Sequence, residues 1–239
     1  MKPIVFVLAV VAFTLQGFAT FAITLSEIQE ALQKQSGGIQ SIRADFHYTE
    51  TPSGTTGYEI IQRGTFLLKG KEMIKIDFHF PQPQTTLIRG DLVTTTMPDR
   101  PDRVQERLDA SASNFLSRSI QNAVRPLSVL PEITLKLEGK AGNMWRMTGT
   151  PRKADAPFGQ VELYLLGDSL LPARRAVYTT QGRLSQVTDY LYEKVGEKLI
   201  PSKVTGLYTE GGGAKLVEVR LENLRINQPI SDSEFVIPF

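Results

Sequence analysis

A chain of 239 residues without a single cysteine must hold its fold by apolar burial, since no disulfide or thiolate–metal site is available to it. Its 27 Lys and Arg against 25 Asp and Glu leave a formal charge of +2, which gives no electrostatic case for nucleic-acid binding.

Residues 1–22 read as an export signal. Lys2 precedes an apolar run from Ile4 to Leu15, and Gly17-Phe18-Ala19 and Thr20-Phe21-Ala22 place small residues where a signal peptidase needs them. Cleavage is expected after Ala22, with Ala19 as the other position. An uncleaved anchor is the alternative, but the run falls short of the ~20 residues that a membrane span requires. Residues 23–239, about 217 in number, are then expected to form one domain, with no Cys at the start for lipidation.

Thr24-Leu25-Ser26-Glu27 has the spacing of a capping box, and Leu25, Ile28, Ala31 and Leu32 follow at helical intervals, so a short amphipathic helix is predicted to end near Gly37-Gly38. From Ile39 the period changes to two. Ala44, Phe46 and Tyr48 share one face of a strand, and Arg43, Asp45 and His47 the other. A strand over Gly64 to Leu68, a turn at Lys69-Gly70-Lys71 and a second strand follow; in the latter Ile74, Ile76, Phe78 and Phe80 oppose Met73, Lys75, Asp77 and His79. Pro81-Gln82-Pro83 turns the chain into a further strand region from Thr86 to Met97.

The alternation breaks at Ser111 to Arg125, where Phe115, Leu116, Ile120, Ala123 and Val124 form one helical stripe opposite Asn114, Arg118, Gln121 and Arg125. A second amphipathic helix is predicted there, before Pro126 and Pro131. Seven strands are predicted downstream: Ile133 to Glu138, Asn143 to Thr148, Gln160 to Leu165, Ala173 to Thr179, Ser185 to Tyr192, Ile200 to Tyr208 and Lys215 to Leu221. Turn residues at Gly139 to Gly142, Gly167-Asp168, Gln181-Gly182, Gly196 and Gly211 to Gly213 separate them. About eleven antiparallel strands with short links imply a mainly β protein built on one strongly curved sheet. Two helices can cover its concave face, leaving either a plain core or a lidded apolar cavity.

Catalytic chemistry is thin. His47 and His79 stand singly on the polar sides of their strands and share no ligand spacing, and no nucleophile elbow, phosphate loop or dinucleotide fingerprint occurs. Asp99-Arg100-Pro101-Asp102-Arg103 reads as a solvated loop of mixed charge or a docking rim, and Asp189 with Glu193 as ordinary surface acids. Trp145 with Met147 suits an apolar ligand cavity or plain core. Arg174-Arg175 follows Leu171-Pro172 in a strand, so alternation puts at least one of the pair on the surface, and an acidic partner is the other use for them.

Several pieces recur together in order: Ile39 to Phe46 after a short helix, Gly64 to Leu68 with Met73 to Ile76, Leu171 to Arg175, Gly182-Arg183-Leu184, Tyr190, Leu199 to Lys203, and Ile230 to Phe235. Their joint order resembles the periplasmic outer-membrane lipoprotein carriers, the LolA-like family, over nearly the whole mature chain. The resemblance departs from that family at Lys75, where the family often has an Arg that holds a lid closed, and at Arg89-Gly90-Asp91, where Asp-Gly is common.

The resemblance implies an unclosed β-barrel with a helical lid over an apolar cavity. It implies a periplasmic monomer without catalysis or cofactor, carrying the acyl chains of a lipoprotein or other lipid from an inner-membrane donor to an outer-membrane acceptor. Phe66, Leu68, Ile74, Ile76, Phe78, Phe115, Leu116, Ile120, Trp145 and Met147 are the expected lining. A lipid-sensing regulator and an exporter accessory protein using the same fold are the alternatives.

Overall fold

The computed structural model describes residues 23–53, 58–70, 73–90, 92–107, 130–209 and 213–237. Within them the chain forms one helix, α1 (Leu25–Gly37), and thirteen strands. These are β1 (Ser41–Ser53), β2 (Ile60–Lys69), β3 (Met73–Phe80), β4 (Gln84–Arg89), β5 (Leu92–Met97), β6 (Arg100–Arg107), β7 (Ile133–Ala141), β8 (Met144–Pro151), β9 (Gln160–Leu166), β10 (Pro172–Tyr178), β11 (Leu184–Val195), β12 (Lys198–Tyr208) and β13 (Ala214–Ile226).

All thirteen belong to a single antiparallel sheet in the order β6-β5-β4-β3-β2-β1-β13-β12-β11-β10-β9-β8-β7. Two meanders are thus joined where the first strand meets the last, with Phe46 opposite Leu221 and Tyr48 opposite Val219. β6 and β7 end the sheet without pairing to each other, which leaves the barrel unclosed.

The strand count corrects the expected eleven in two places. The stretch from Thr86 to Met97 is a hairpin, β4 and β5, which reverses at Gly90 with φ 60°. The charged stretch taken for a loop after Asp99 is β6, paired with β5 over Leu92 to Met97. Its sequence hides it because an end strand bonded on one side needs no apolar alternation, and charged residues and Pro101 suit such an edge.

Residues paired directly across antiparallel strands share a face, so the register carries one face across the whole sheet. Ile76, Phe66 and Ala44 stand in line on β3, β2 and β1. Tyr48, Val219, Val204 and Tyr190 continue it over β1, β13, β12 and β11. Thr188, Arg175, Leu163, Met147 and Leu137 extend it to β7.

α1 is capped as its sequence predicts: Thr24 Oγ1 accepts from the Glu27 backbone N–H at 3.3 Å, and Glu27 Oε2 accepts from the Thr24 N–H at 2.7 Å. Its Ile28 and Leu32 are fully buried against Ile133, Leu135, Met147, Val161, Leu163 and Leu165, so the helix covers this face at its β7–β9 end. Lys198 Nζ and Asn227 Nδ2 donate to the carbonyl of Gly38 at 2.6 and 3.0 Å and tie down the helix exit. Two helices covering the concave face are not seen among the described residues. A 13-residue helix is about 20 Å long, whereas thirteen strands span roughly 60 Å, so α1 alone shelters only a few of them. The expected export signal at 1–22 and the expected helix Ser111–Arg125 lie outside the described residues.

Candidate functional site

The shared face carries two apolar clusters. The larger holds Ile42, Phe46, Phe66, Leu68, Ile74, Ile76, Phe78, Ile88 and Val93 from the first meander with Val204, Val217, Val219 and Leu221 from the second. The smaller is the α1 cluster on β7–β9. Each strand contributes every other residue, which is why the sequence alternates there. Burial of each large aliphatic or aromatic side chain stabilises the sheet by about 1.5–3 kcal/mol.

Seven of the ten expected lining residues lie on this one face. Phe66, Leu68, Ile74, Ile76 and Phe78 sit in the larger cluster, and Met147 with the half-buried Trp145 in the smaller. Phe115, Leu116 and Ile120 lie outside the described residues. Phe80, expected beside Phe78, is exposed at the end of β3. The register slips between Arg63 and Gly64, and the Arg63 guanidinium stands 6.0 Å from the centre of the Phe80 ring.

Between the clusters the face turns polar. Arg175 on β10 is 4% exposed and is flanked across the sheet by Leu163 on β9 and Thr188 on β11. Its Nε has no hydrogen-bond partner, and among the described residues no carboxylate pairs with the guanidinium. The hydroxyl of buried Tyr190, two residues from Thr188 on the same face, is also without a partner. Burial pushes the Tyr190 phenol up, and the charge of Arg175 works against that shift. The Thr188 hydroxyl accepts from Gln186 Nε2 at 2.7 Å. A charged side chain held out of water without a partner is costly and rare.

Its neighbour in sequence behaves differently. Arg174 points to the opposite face and binds Asp189 through two bonds of 2.5 and 3.0 Å. Arg146 pairs there with Glu162 at 2.8 Å, and the Tyr164 hydroxyl donates to Glu162 at 3.0 Å. Arg174, Asp189, Glu162 and Tyr164 border a depression of about 460 Å³ on that face, away from the expected lining. Lys75 also points to this second face, where it pairs with Asp77 at 3.2 Å, so it is turned away from the face that carries the expected lining. His47 is on that face, His79 is exposed at the register slip of β3, and among the described residues no group of three or more His, Asp or Glu is placed to hold a metal.

The apolar wall of the site is legible in the sequence, and its polar strip is not. Arg174-Arg175 was the available signal, since two consecutive arginines in a strand cannot both face water. Thr188 and Tyr190 gave none, because a Thr and a Tyr on alternate strand positions are ordinary in sheets.

The fold has solved counterparts. A LolA superfamily protein from Nitrosomonas europaea aligns with a TM-score of 0.66 at 14% identity, over 90% of this chain and 99% of that one. A DUF1329 family protein from Desulfovibrio piger gives a TM-score of 0.67 at 18% identity, over 87% and 95%. A domain assigned to an outer membrane lipoprotein-sorting protein from Vibrio parahaemolyticus gives 0.63 at 12% identity, over 87% and 94%. At these identities the likeness is one of fold, and the fold is LolA-like. No protein-family model matches the chain, and no curated relative matches its sequence.

Proposed function

We propose that this protein is a non-enzymatic carrier that shelters the acyl chains of a lipoprotein or other lipid on the apolar face of its sheet while the cargo crosses the periplasm. The observation that carries the reading is that one side of an unclosed sheet holds both apolar clusters, the larger on the first meander and its seam with β13 and the smaller on β7–β9, with a short polar strip between them. The LolA-like fold supports it, as does the charged, apolar and small-residue order of residues 1–22, which fits export. Each methylene withdrawn from water contributes about 0.8 kcal/mol, so an acyl chain of ordinary length needs such a shelter to leave a membrane. In this reading the chain works as a monomer between an inner-membrane donor and an outer-membrane acceptor, and needs no cofactor.

Native mass spectrometry of the mature chain, purified without detergent, with solvent extraction of anything bound, tests the reading. Acyl-bearing cargo is the expected result. Phe78 is at the margin of the larger cluster, 7% exposed, so Phe78→Glu is expected to reduce uptake of a fluorescent fatty acid at least about tenfold by placing a carboxylate where hydrocarbon should lie. Wild-type uptake by a folded Phe78→Glu protein would count against the carrier.

One observation favours a second reading. β6 and β7 each have one side unpaired within the described sheet, and a partner protein could add a strand at either. Co-purification of a protein with no lipid would support an exporter accessory or regulatory role.

A further inference from the structure

We infer that Arg175 anchors the anionic headgroup of an amphiphile whose hydrocarbon lies on the apolar face, with the Tyr190 hydroxyl as a second donor. The inference rests on the carrier reading and adds to it the chemistry of the cargo's polar end, which is an oxyanion, either carboxylate or phosphate.

Three observations converge. The guanidinium is buried without a hydrogen bond at Nε, and the acids nearest along the sheet are engaged elsewhere: Asp189 with Arg174 and Glu162 with Arg146, both on the opposite face. A cation so placed calls for a counter-charge that none of the described residues supplies, and a guanidinium offers planar, paired donors matched to an oxyanion.

The position is the second observation. Arg175 stands at the seam of the two clusters, with Leu163 of the smaller on one side and Thr188 leading to Tyr190 and Val204 of the larger on the other. A headgroup held there leaves its chains apolar surface in both directions along the sheet.

The third is the Tyr190 hydroxyl, buried and unpartnered on the same face, which has a proton to donate to the same anion. Tyr48, by contrast, donates to Glu50 at 2.5 Å, and Tyr192 donates to the Pro172 carbonyl at 2.8 Å.

The test compares the mature chain with Arg175→Gln, Arg175→Lys and Tyr190→Phe against three probes: oleate, dioleoyl phosphatidate and the neutral oleyl alcohol. For Arg175→Gln the expected result is a loss of about tenfold or more for an anionic probe, with oleyl alcohol within about twofold of wild type. Tyr190→Phe is expected to lose a few-fold on the same probe. Selective loss on oleate alone identifies a carboxylate, and on phosphatidate alone a phosphate; either supports the inference.

Equal losses on charged and neutral probes would show a structural role for Arg175 and overturn it, as would unchanged binding of both anions. Should Arg175→Gln not fold, Arg175→Lys decides, since it keeps the charge and loses the planar fork: selective anion loss supports the inference, and wild-type behaviour overturns it. A wild-type protein that binds oleyl alcohol as tightly as the anions, with Arg175→Gln indifferent, keeps the carrier and refutes the anchor. Binding of none of the three probes by wild type would refute both.

Discussion

Gly64 shows how a single position sets the wall of the apolar face. It lies between Phe46 on β1 and Phe78 on β3, whose rings meet edge to face at 5.6 Å and 85° across the gap that its missing side chain leaves. A Cβ there would lie 1.9 Å from the Asp77 carbonyl oxygen and 2.9 Å from a Phe46 ring carbon. Backbone cannot yield as a flexible side chain can, so Gly64→Ala is expected to destabilise the protein by about 2 kcal/mol or more, read as a shift in the urea midpoint. A midpoint within error of wild type would mean that the ring contact does not depend on this gap. The sequence showed a glycine leading an alternating strand, but the need for it lies on β1 and β3 and is not local. Arg175 was obscured for a related reason. The register slips between Pro172 and Arg174, and a one-residue slip reverses which of two adjacent arginines faces inward.

At the scale of elements, the end of the chain acts as a clasp on the second face of the first meander. Ser231 caps a 3-10 turn, Asp232–Phe235, that drives Phe235 between Leu67 and Leu87, with Ile230 and Ile237 beside it. Lys69 Nζ donates to Asp232 at 2.6 Å and to the Ile230 carbonyl at 2.7 Å, Arg43 pairs with Glu234, and Arg89 reaches the Phe235 carbonyl at 3.1 Å. The bond from Lys69 holds the Asp232 carboxyl below its ordinary 3.8, and that from Arg43 holds Glu234 below its ordinary 4.5. Carboxyls depressed on folding add stability above their unfolded values and lose it as pH falls through that range. The melting temperature is therefore expected to fall between about pH 5 and about pH 3, and to fall less in an Asp232→Asn, Glu234→Gln double variant. An identical fall in both would show that the clasp is not titrating; Glu27 and Glu138, also depressed by hydrogen bonds, keep the slope from vanishing. The motif from Ile230 to Phe235 was legible as a family-like sequence, and α1 down to its capping box. The clasp's partners were not, because Arg43, Lys69 and Arg89 look like ordinary outward-facing cations until the tail is laid over them.

For the whole molecule the decisive contact is between the first strand and the last. Ile42 pairs with Ile226 and Thr51 with Leu216, so the centre of the sheet forms only when the two ends of the domain meet. Alternation in the sequence foretold one antiparallel sheet; it carried no signal for which strands would meet at its centre, since every strand there is apolar on the same side. Pairing over so long a stretch of chain makes folding slow and concentrates stability at the seam. The larger cluster straddles that seam, with Phe46 and Tyr48 packed beside Val219 and Leu221. The ends differ: among the described residues β6 and β7 are each bonded on one side only, and β7 is held from above by α1. Hydrogen exchange on residues 23–239 is expected to be slowest in β1 and β13 and faster by about two orders of magnitude in β6 and β7. The proposed carrier role would be served by that gradient, since release of cargo needs a face that opens from its ends while the seam keeps the fold. Uniform protection from β6 to β7 would show a sheet that opens only by global unfolding, and cargo entry would then have to be sought elsewhere.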